Sequence, residues 1–232
     1  MGGSGIGAFL FDKDGTLLDF QKTWGPWSAA RVRDIAAAAG ADAQALADHL
    51  GVDLARGAVA PYSVIVAGTL TEVAEAFAAF PGAGSPDDMA EILGSSALLT
   101  RPEPVCALDP LFAELAAHGC RLGVATNDGE AIARSQMQAL GVLPRLEFVA
   151  GFDSGWGGKP GPGMCTAFAA AMGLAPGRIA MVGDSLHDLE AGRAAGMVTI
   201  AVETGPASAA ELAPHADHVL PSIADLPVWL AG

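Results

Sequence analysis

The chain reads as an α/β protein, a doubly wound parallel sheet with a helical segment inserted into it. Three observations carry that expectation. From residue 107 onward, short apolar runs alternate with longer segments of helical spacing, the pattern of a parallel sheet covered on both faces. One further apolar run, Ile6 to Phe11, stands alone near the start. Between them, residues 19–105 hold Ala-rich amphipathic segments and few strand signals.

Taken in order, the first run ends at Phe9-Leu10-Phe11-Asp12-Lys13-Asp14-Gly15-Thr16. Helices are then expected over 27–39, 41–50, 70–80 and 86–98, separated by Gly40, by 51–68 and by Pro81-Gly82-Ala83-Gly84. The stretch 59–70 is apolar but broken by Pro61 and Gly68, and it receives no assignment. Pro102 and Pro104 mark the return to the sheet. The alternation that follows predicts helix 108–118, strand 121–125, helix 130–140 and strand 147–151. Helix 162–172 has Pro162 in its first turn, and strand 179–182, helix 186–195 and strand 198–202 come next. A short helix at 207–212, an edge strand at 218–220 and a last turn at 223–230 complete the chain. Residues 1–18 with 106–232 would form one unit, and 19–105 a second.

Composition bounds the function. With 232 residues, 51% of them hydrophobic, the chain can bury a substantial core. A formal net charge of −14 argues against non-specific nucleic-acid binding and against anionic membranes. Cys106, Cys120 and Cys165 are widely spaced, which indicates neither a zinc site nor a disulfide framework. Met1-Gly2-Gly3-Ser4-Gly5 lacks the features of a signal peptide, and Ile6 breaks the myristoylation pattern. No apolar stretch reaches the roughly 18–20 residues that span a bilayer. A cytoplasmic protein without nucleic-acid or membrane partners is expected.

The chemistry gathers at strand ends. In an open parallel sheet, ligands bind beyond the carboxyl ends of the strands. Asp12 and Asp14 follow the first strand, Thr126-Asn127-Asp128 the second, and Asp184 and Asp188 the strand ending at Gly183. Lys159 lies in Gly157-Gly158-Lys159-Pro160-Gly161-Pro162, between the third strand and its helix. Carboxylates crowded together raise one another's pKa values unless a cation neutralises them. All-oxygen acidic ligation favours Mg²⁺, which would also bind a substrate's phosphate. Lys159, Thr126, Asn127 and backbone N–H groups near Gly15 could hold phosphate oxygens. The expected reaction is phosphoryl transfer, where positioning and charge stabilisation dominate.

Asp12-x-Asp14-Gly15-Thr16, then Thr126, Lys159-Pro160 and Gly183-Asp184-x-x-x-Asp188 resembles the four-motif signature of haloacid-dehalogenase-like hydrolases. The nearest branch is the phosphoglycolate-phosphatase-like enzymes. The resemblance covers about 5–18 and 106–225, and it implies a Rossmann-like core with the intervening helices as a mobile cap. It implies Asp12 as nucleophile, forming an aspartyl-phosphate, and Asp14 as the acid and base for leaving group and water. Thr126 and Lys159 would bind the transferring phosphoryl group. Asp12, the backbone carbonyl of Asp14, and Asp184 would ligate Mg²⁺, with Asp188 bound directly or in support. The substrate would be a small phosphorylated metabolite. A phosphosugar mutase is the main alternative, with a 2-haloacid dehalogenase or a non-catalytic phosphometabolite-binding protein behind it. Asp14 favours phosphate esters, since dehalogenases of this superfamily lack a carboxylate there. Gly163 departs from the family pattern, which commonly has Asp at that place.

Structural readings compete with several of these assignments. Thr126, Asn127 or Asp128 could cap the helix near Gly129, and Asp188 could be a first-turn acid favoured by the helix dipole. His187 is expected to face solvent, and His215 and His218 to lie on the surface. Trp24 and Trp27 read as packing or hinge residues. Lys22, Arg56 and Tyr62 are the residues of 19–105 most able to meet an anionic or hydroxylated substrate, although each reads as surface.

Overall fold

The computed structural model describes residues 5–232. The reading of the leader rests in part on residues 1–4, outside the described residues. The elements in chain order begin with β1 (Ala8–Phe11), α1 (Phe20–Ala39), α2 (Ala43–Leu50), β2 (Val52–Asp53), β3 (Ala58–Val59) and α3 (Val64–Ala67). They continue with α4 (Leu70–Ala78), α5 (Pro86–Ala97), α6 (Leu108–Ala117), β4 (Arg121–Ala125), α7 (Glu130–Ala139), β5 (Phe148–Ala150) and α8 (Gly163–Met172). Last come β6 (Ile179–Gly183), α9 (Leu186–Ala194), β7 (Val198–Val202), α10 (Ala209–Leu212), β8 (His218–Leu220) and α11 (Leu226–Ala231).

All four residues of β1 are fully buried, so the strand needs cover on both faces and partners on both edges. Phe9 and Phe11 turn to one face and pack with Leu122 and Val124 of β4 against Leu111, Phe112 and Leu115 of α6. Ala8 and Leu10 turn to the other and meet Met164, Cys165 and Phe168 of α8. That period-2 division of an all-apolar run is what a central parallel strand requires. The edges are taken by β4 and β6, both parallel, with Phe11 opposite Val124 and Val182. The six-stranded order is β5-β4-β1-β6-β7-β8. The chain winds outward to β5, returns to β6 and winds the other way, so the fold is the Rossmann-like doubly wound sheet that the alternation predicts. The switch point lies between β1 and β6, where the crevice of such a sheet opens.

Residues 20–97 build a second apolar cluster around Phe20, Trp24, Val32, Leu46, Phe77 and Leu93. The two chain crossings beneath it are hydrogen-bonded to each other, Asp19 N–H to Glu103 O at 2.8 Å and Val105 N–H to Leu17 O at 3.0 Å.

Three local expectations change. The first helix starts at Phe20, not at residue 27, with Asp19 capping Lys22 N–H and Pro26 inside. A proline early in a helix forfeits one bond, and burial of Phe20, Thr23, Trp24 and Gly25 outweighs it. Within 51–70, β2 and β3 pair as a hairpin. The Gln21 side chain holds it like a strand neighbour, donating to Val59 O at 2.8 Å and accepting from Val59 N–H at 2.9 Å. Pro162 is the N-cap of α8 instead of a first-turn residue. Gly163 has a steric reason to replace the family's usual residue: a Cβ there would collide with the Trp156 carbonyl.

Candidate active site

Asp12, Thr126 and Asp184 are the residues next after β1, β4 and β6, three adjacent strands, so the ladder alone brings them to one edge. Asp12, Asp14, Thr126, Asn127, Lys159, Asp184 and Asp188 all line one chamber between the sheet edge and residues 20–97. The space open to the centre of a water molecule there is about 80 Å³.

Lys159 sits at the middle of the cluster. Its ammonium lies 2.5 Å from Asp12 Oδ1 and 2.8 Å from the Ala125 carbonyl. It also lies 2.6 Å from Asp188 Oδ1, close enough for an ion pair but outside hydrogen-bond geometry. Burial works to lower the lysine's pKa, and Asp12 and Asp188 outweigh it, so the ammonium is held above its ordinary range. Asn127 fixes the loop: its amide oxygen accepts Lys159 N–H at 2.8 Å and its NH₂ donates to Lys159 O at 3.0 Å. The same NH₂ reaches Ala67 O in α3 at 3.1 Å. Neither Asn127 nor Thr126 nor Asp128 caps α7. Its N-cap is Gly129, and Glu130 N–H is satisfied by Asp153 Oδ1 from the β5–α8 loop at 2.8 Å.

Asp188 lies in the first turn of α9, as its structural reading has it, and its two oxygens are placed differently. Oδ2 accepts Ser185 N–H and Oγ–H, the reciprocal half of a capping box. Oδ1 is buried without a hydrogen bond and turns to the cluster. Asp184 Oδ1 accepts from Thr16 Oγ at 3.1 Å. A Cβ on Gly15 or on Gly205 would overlap the Asp184 carboxylate, so both glycines leave it room. Gly15 corrects one expectation: its N–H donates to Leu18 O at 2.8 Å, closing the turn after β1, and is not free for phosphate.

Oxygen atoms of Asp12, Asp184 and Asp188 lie within 4.8 Å of one another. Burial first, opposed by Lys159 and assisted by Asp188 and Asp14, pushes the Asp12 carboxyl up to about 7. Burial, then Asp12 and Asp188, holds Asp184 well above the ordinary carboxylate range. The buried, unbonded Oδ1 of Asp188 and this all-oxygen donor set fit a hard divalent cation such as Mg²⁺. The Asp14 carboxylate is not in this trio. It turns to Trp24, whose Nε1–H donates to Oδ1 at 2.5 Å, and to the Lys13 ammonium at Oδ2.

Lys13 and His187 are the residues that reading the sequence missed. Lys13, the unassigned position between the two aspartates, is fully buried. Its ammonium bonds Asp14, lies 2.8 Å from Asp128 Oδ2 and sits 5.1 Å from the centre of the Trp24 ring. Burial lowers its pKa, and Asp128 and Asp14 raise it by more. The signal was present, since a lysine closing a buried strand needs a counter-charge. His187 lines the chamber instead of facing solvent, with Nδ1 buried and unpartnered. Trp24 and Trp27 pack edge to face with centroids 5.3 Å apart and also line the chamber. Lys22, Arg56 and Tyr62 lie outside it and are 71%, 85% and 84% exposed. The histidines His215 and His218 join no metal-binding group among the described residues.

These carboxylates make the stability of the metal-free protein depend on pH. A carboxyl whose folded pKa is raised stabilises the fold fully below its unfolded pKa and loses that contribution as pH rises through the folded value. For Asp12 the loss runs from about 4 to about 7, and Asp184 acts in the same direction. Thermal melts in EDTA should therefore show this contribution declining from pH 5 to pH 8. The Tm rise on adding 5 mM Mg²⁺ should be larger at pH 8. Equal rises at the two pH values would contradict the assignment of the trio as cation ligands.

A family model described as haloacid dehalogenase-like hydrolase matches residues 6–196. Phosphoglycolate phosphatase of Rhodospirillum rubrum is 31% identical over 241 residues, covering 96% of this chain and 90% of that protein. N-acetylmuramic acid 6-phosphate phosphatase of Pseudomonas putida is 32% identical over 206 residues, 85% of this chain and 83% of that one. CbbY from Rhodobacter sphaeroides, solved in complex with phosphate, superposes with a TM-score of 0.70 at 22% identity, over 95% of this chain and 96% of its own. β-Phosphoglucomutase from Clostridium difficile gives 0.65 at 17% identity, over 95% and 93%. At such identities the two structures speak for the fold.

The family match and the two phosphatase relatives define a hydrolase of phosphoric monoesters. The chain belongs to the haloacid dehalogenase-like hydrolases, in their phosphoglycolate-phosphatase-like branch. Among the described residues no helix is long and apolar enough to cross a membrane.

Proposed function

We propose that the protein is a Mg²⁺-dependent phosphatase of small phosphomonoesters, phosphoglycolate-like in size, working through an aspartyl-phosphate on Asp12. The observation that supports this reading is the different placement of the two aspartates. Asp12 faces Lys159 inside the carboxylate trio, while Asp14 is held apart by Trp24 and Lys13.

A carboxylate oxygen of Asp12 attacks phosphorus, and the ester oxygen leaves with a proton from Asp14. The products of this half are the free alcohol and a mixed anhydride between Asp12 and the phosphoryl group. Asp14, now ionised, takes a proton from a water that attacks the same phosphorus, returning Asp12 as carboxylate and releasing inorganic phosphate. Lys159 and Thr126 bind the equatorial phosphoryl oxygens during both halves. Asp12, Asp184 and the main-chain carbonyl of Asp14 would hold the Mg²⁺, with Asp188 in direct or supporting contact. When bound, the ion offsets the carboxylate charge and neutralises the phosphoryl oxygens. Residues 19–105 act as the cap over the core formed by 1–18 and 106–232, excluding water and choosing the leaving group. The hydrogen bonds from Trp24 to Asp14 and from Asn127 to Ala67 would report its closure.

The test is hydrolysis of para-nitrophenyl phosphate by protein stripped with EDTA. Activity should vanish and return with Mg²⁺, and substantial metal-independent turnover would overturn the reading. Release of inorganic phosphate from a hexose phosphate without formation of its isomer separates the phosphatase from a mutase.

A further inference from the structure

The acids and Lys159 belong to the sheet edge; the opposite wall of the chamber is of a different kind. Phe20, Trp27, Ile65, Val66, Leu70 and Val73 face it from residues 20–97, and every residue of that segment that lines the chamber is uncharged. The two indole N–H donors on this wall are already used, Trp24 on Asp14 at 2.5 Å and Trp27 on Ser96 Oγ at 3.1 Å. The nearby cations are committed elsewhere. Lys22 pairs with Asp19, and Arg31 with Asp34 outside the chamber. On the core side, Lys159 serves Asp12 and Asp188, and Lys13 serves Asp14 and Asp128. Asn127 is engaged with Lys159 and Ala67, and Ser185 Oγ–H with Asp188. Two side-chain atoms of the lining are buried without a hydrogen bond, Asp188 Oδ1, which pairs with Lys159, and His187 Nδ1.

A leaving group bearing a carboxylate would therefore enter a largely apolar enclosure in which, among the described residues, no uncommitted lysine or arginine lines the wall to meet it. It would also share the chamber with Asp12, Asp14, Asp128, Asp184 and Asp188. Burying an unpaired charge is among the most costly events in a protein interior, and like charges nearby add to that cost. An uncharged alkyl or aryl group at the same place gains burial against the tryptophans and branched side chains.

We infer that this site takes phosphomonoesters with an uncharged, predominantly apolar leaving group and discriminates against those carrying a carboxylate, phosphoglycolate included. The inference rests on the phosphatase reading and narrows its substrate class. Val66 and its neighbours on α3 are the specificity-determining residues, since they stand on the cap wall away from the reacting atoms.

The experiment compares kcat/KM of the Mg²⁺-loaded enzyme for three esters. Isobutyl phosphate has the shape of phosphoglycolate with methyl groups for carboxylate oxygens, and benzyl phosphate adds an aromatic group. The better of these two should exceed phosphoglycolate by at least about 10²-fold. Val66→Lys, which places an ammonium on the half-buried wall, should shift that ratio toward phosphoglycolate by about 10-fold or more. Phosphoglycolate turned over by the wild type as well as the better uncharged ester would overturn the inference and leave the phosphatase reading standing. Inertness toward all three and toward para-nitrophenyl phosphate would overturn both.

Discussion

Asp12→Asn is expected to lower kcat at least about 10⁴-fold, the scale on which removal of a covalent nucleophile is felt, while the fold survives. The amide is nearly isosteric, so the packing under β1 is unchanged, but it is too weak a nucleophile to attack phosphorus. Lys159 keeps Asp188 at 2.6 Å and the Ala125 carbonyl at 2.8 Å as partners. The substitution also removes one of five carboxylates that line the chamber, where Lys159 is the lining ammonium and Lys13 lies buried behind Asp14 and Asp128. Metal-free Tm should therefore hold or rise, most at pH 8, where the wild-type carboxyl is ionised at the cost of burial. Single-turnover assays should show no phosphoenzyme on the variant. An active Asp12→Asn enzyme, verified by mass, would remove Asp12 as nucleophile.

Lys13→Met should be the most destabilising single change at this edge of the sheet. The ammonium is fully buried and is shared between Asp14 and Asp128. Breaking a buried ion pair from one side leaves an uncompensated charge and costs about 3–5 kcal/mol, equivalent to a drop in Tm of about 6–20 °C for a chain of this size. Asp128 is already raised, first by burial, with Lys13 the main opposing influence. Removing Lys13 raises it further, so the deficit should grow as pH rises and shrink toward pH 5. A second substitution, Asp128→Leu, should recover about half of the loss or more, because an apolar pair in place of a buried ion pair is close to neutral. Denaturation of the single and double variants at pH 5 and pH 8 checks this. A Lys13→Met protein as stable as the wild type at pH 8 would mean that the ammonium contributes nothing to the fold.

The pattern of residues determined a large part of this protein unaided. An all-apolar β1 ending in Asp12, with β4 and β6 ending just before Thr126 and Asp184, specified a parallel sheet and the edge where chemistry would gather. Period-2 and helical spacings are local, and a parallel sheet has one face of strand ends on which such residues meet. What the tertiary structure alone decided lies one step further out. The start of α1 at Phe20 follows from burial that outweighs Pro26, and the β2–β3 hairpin from Gln21. The acceptor for Glu130 N–H at the start of α7 comes from Asp153, far along the chain. The turn of Asp14 toward Lys13 and Trp24, the approach of His187, and the uncharged wall opposite Lys159 each depend on which segments pack together. Those partners are often far apart in the chain, as Lys13 and Asp128 are, and no local periodicity encodes a distance between them. Asp12 and Asp184 were legible because each directly follows the end of a strand, with Asp14 and Asp188 close behind in the sequence. Their surroundings had to wait for the fold, because burial and pairing are properties of neighbours in space.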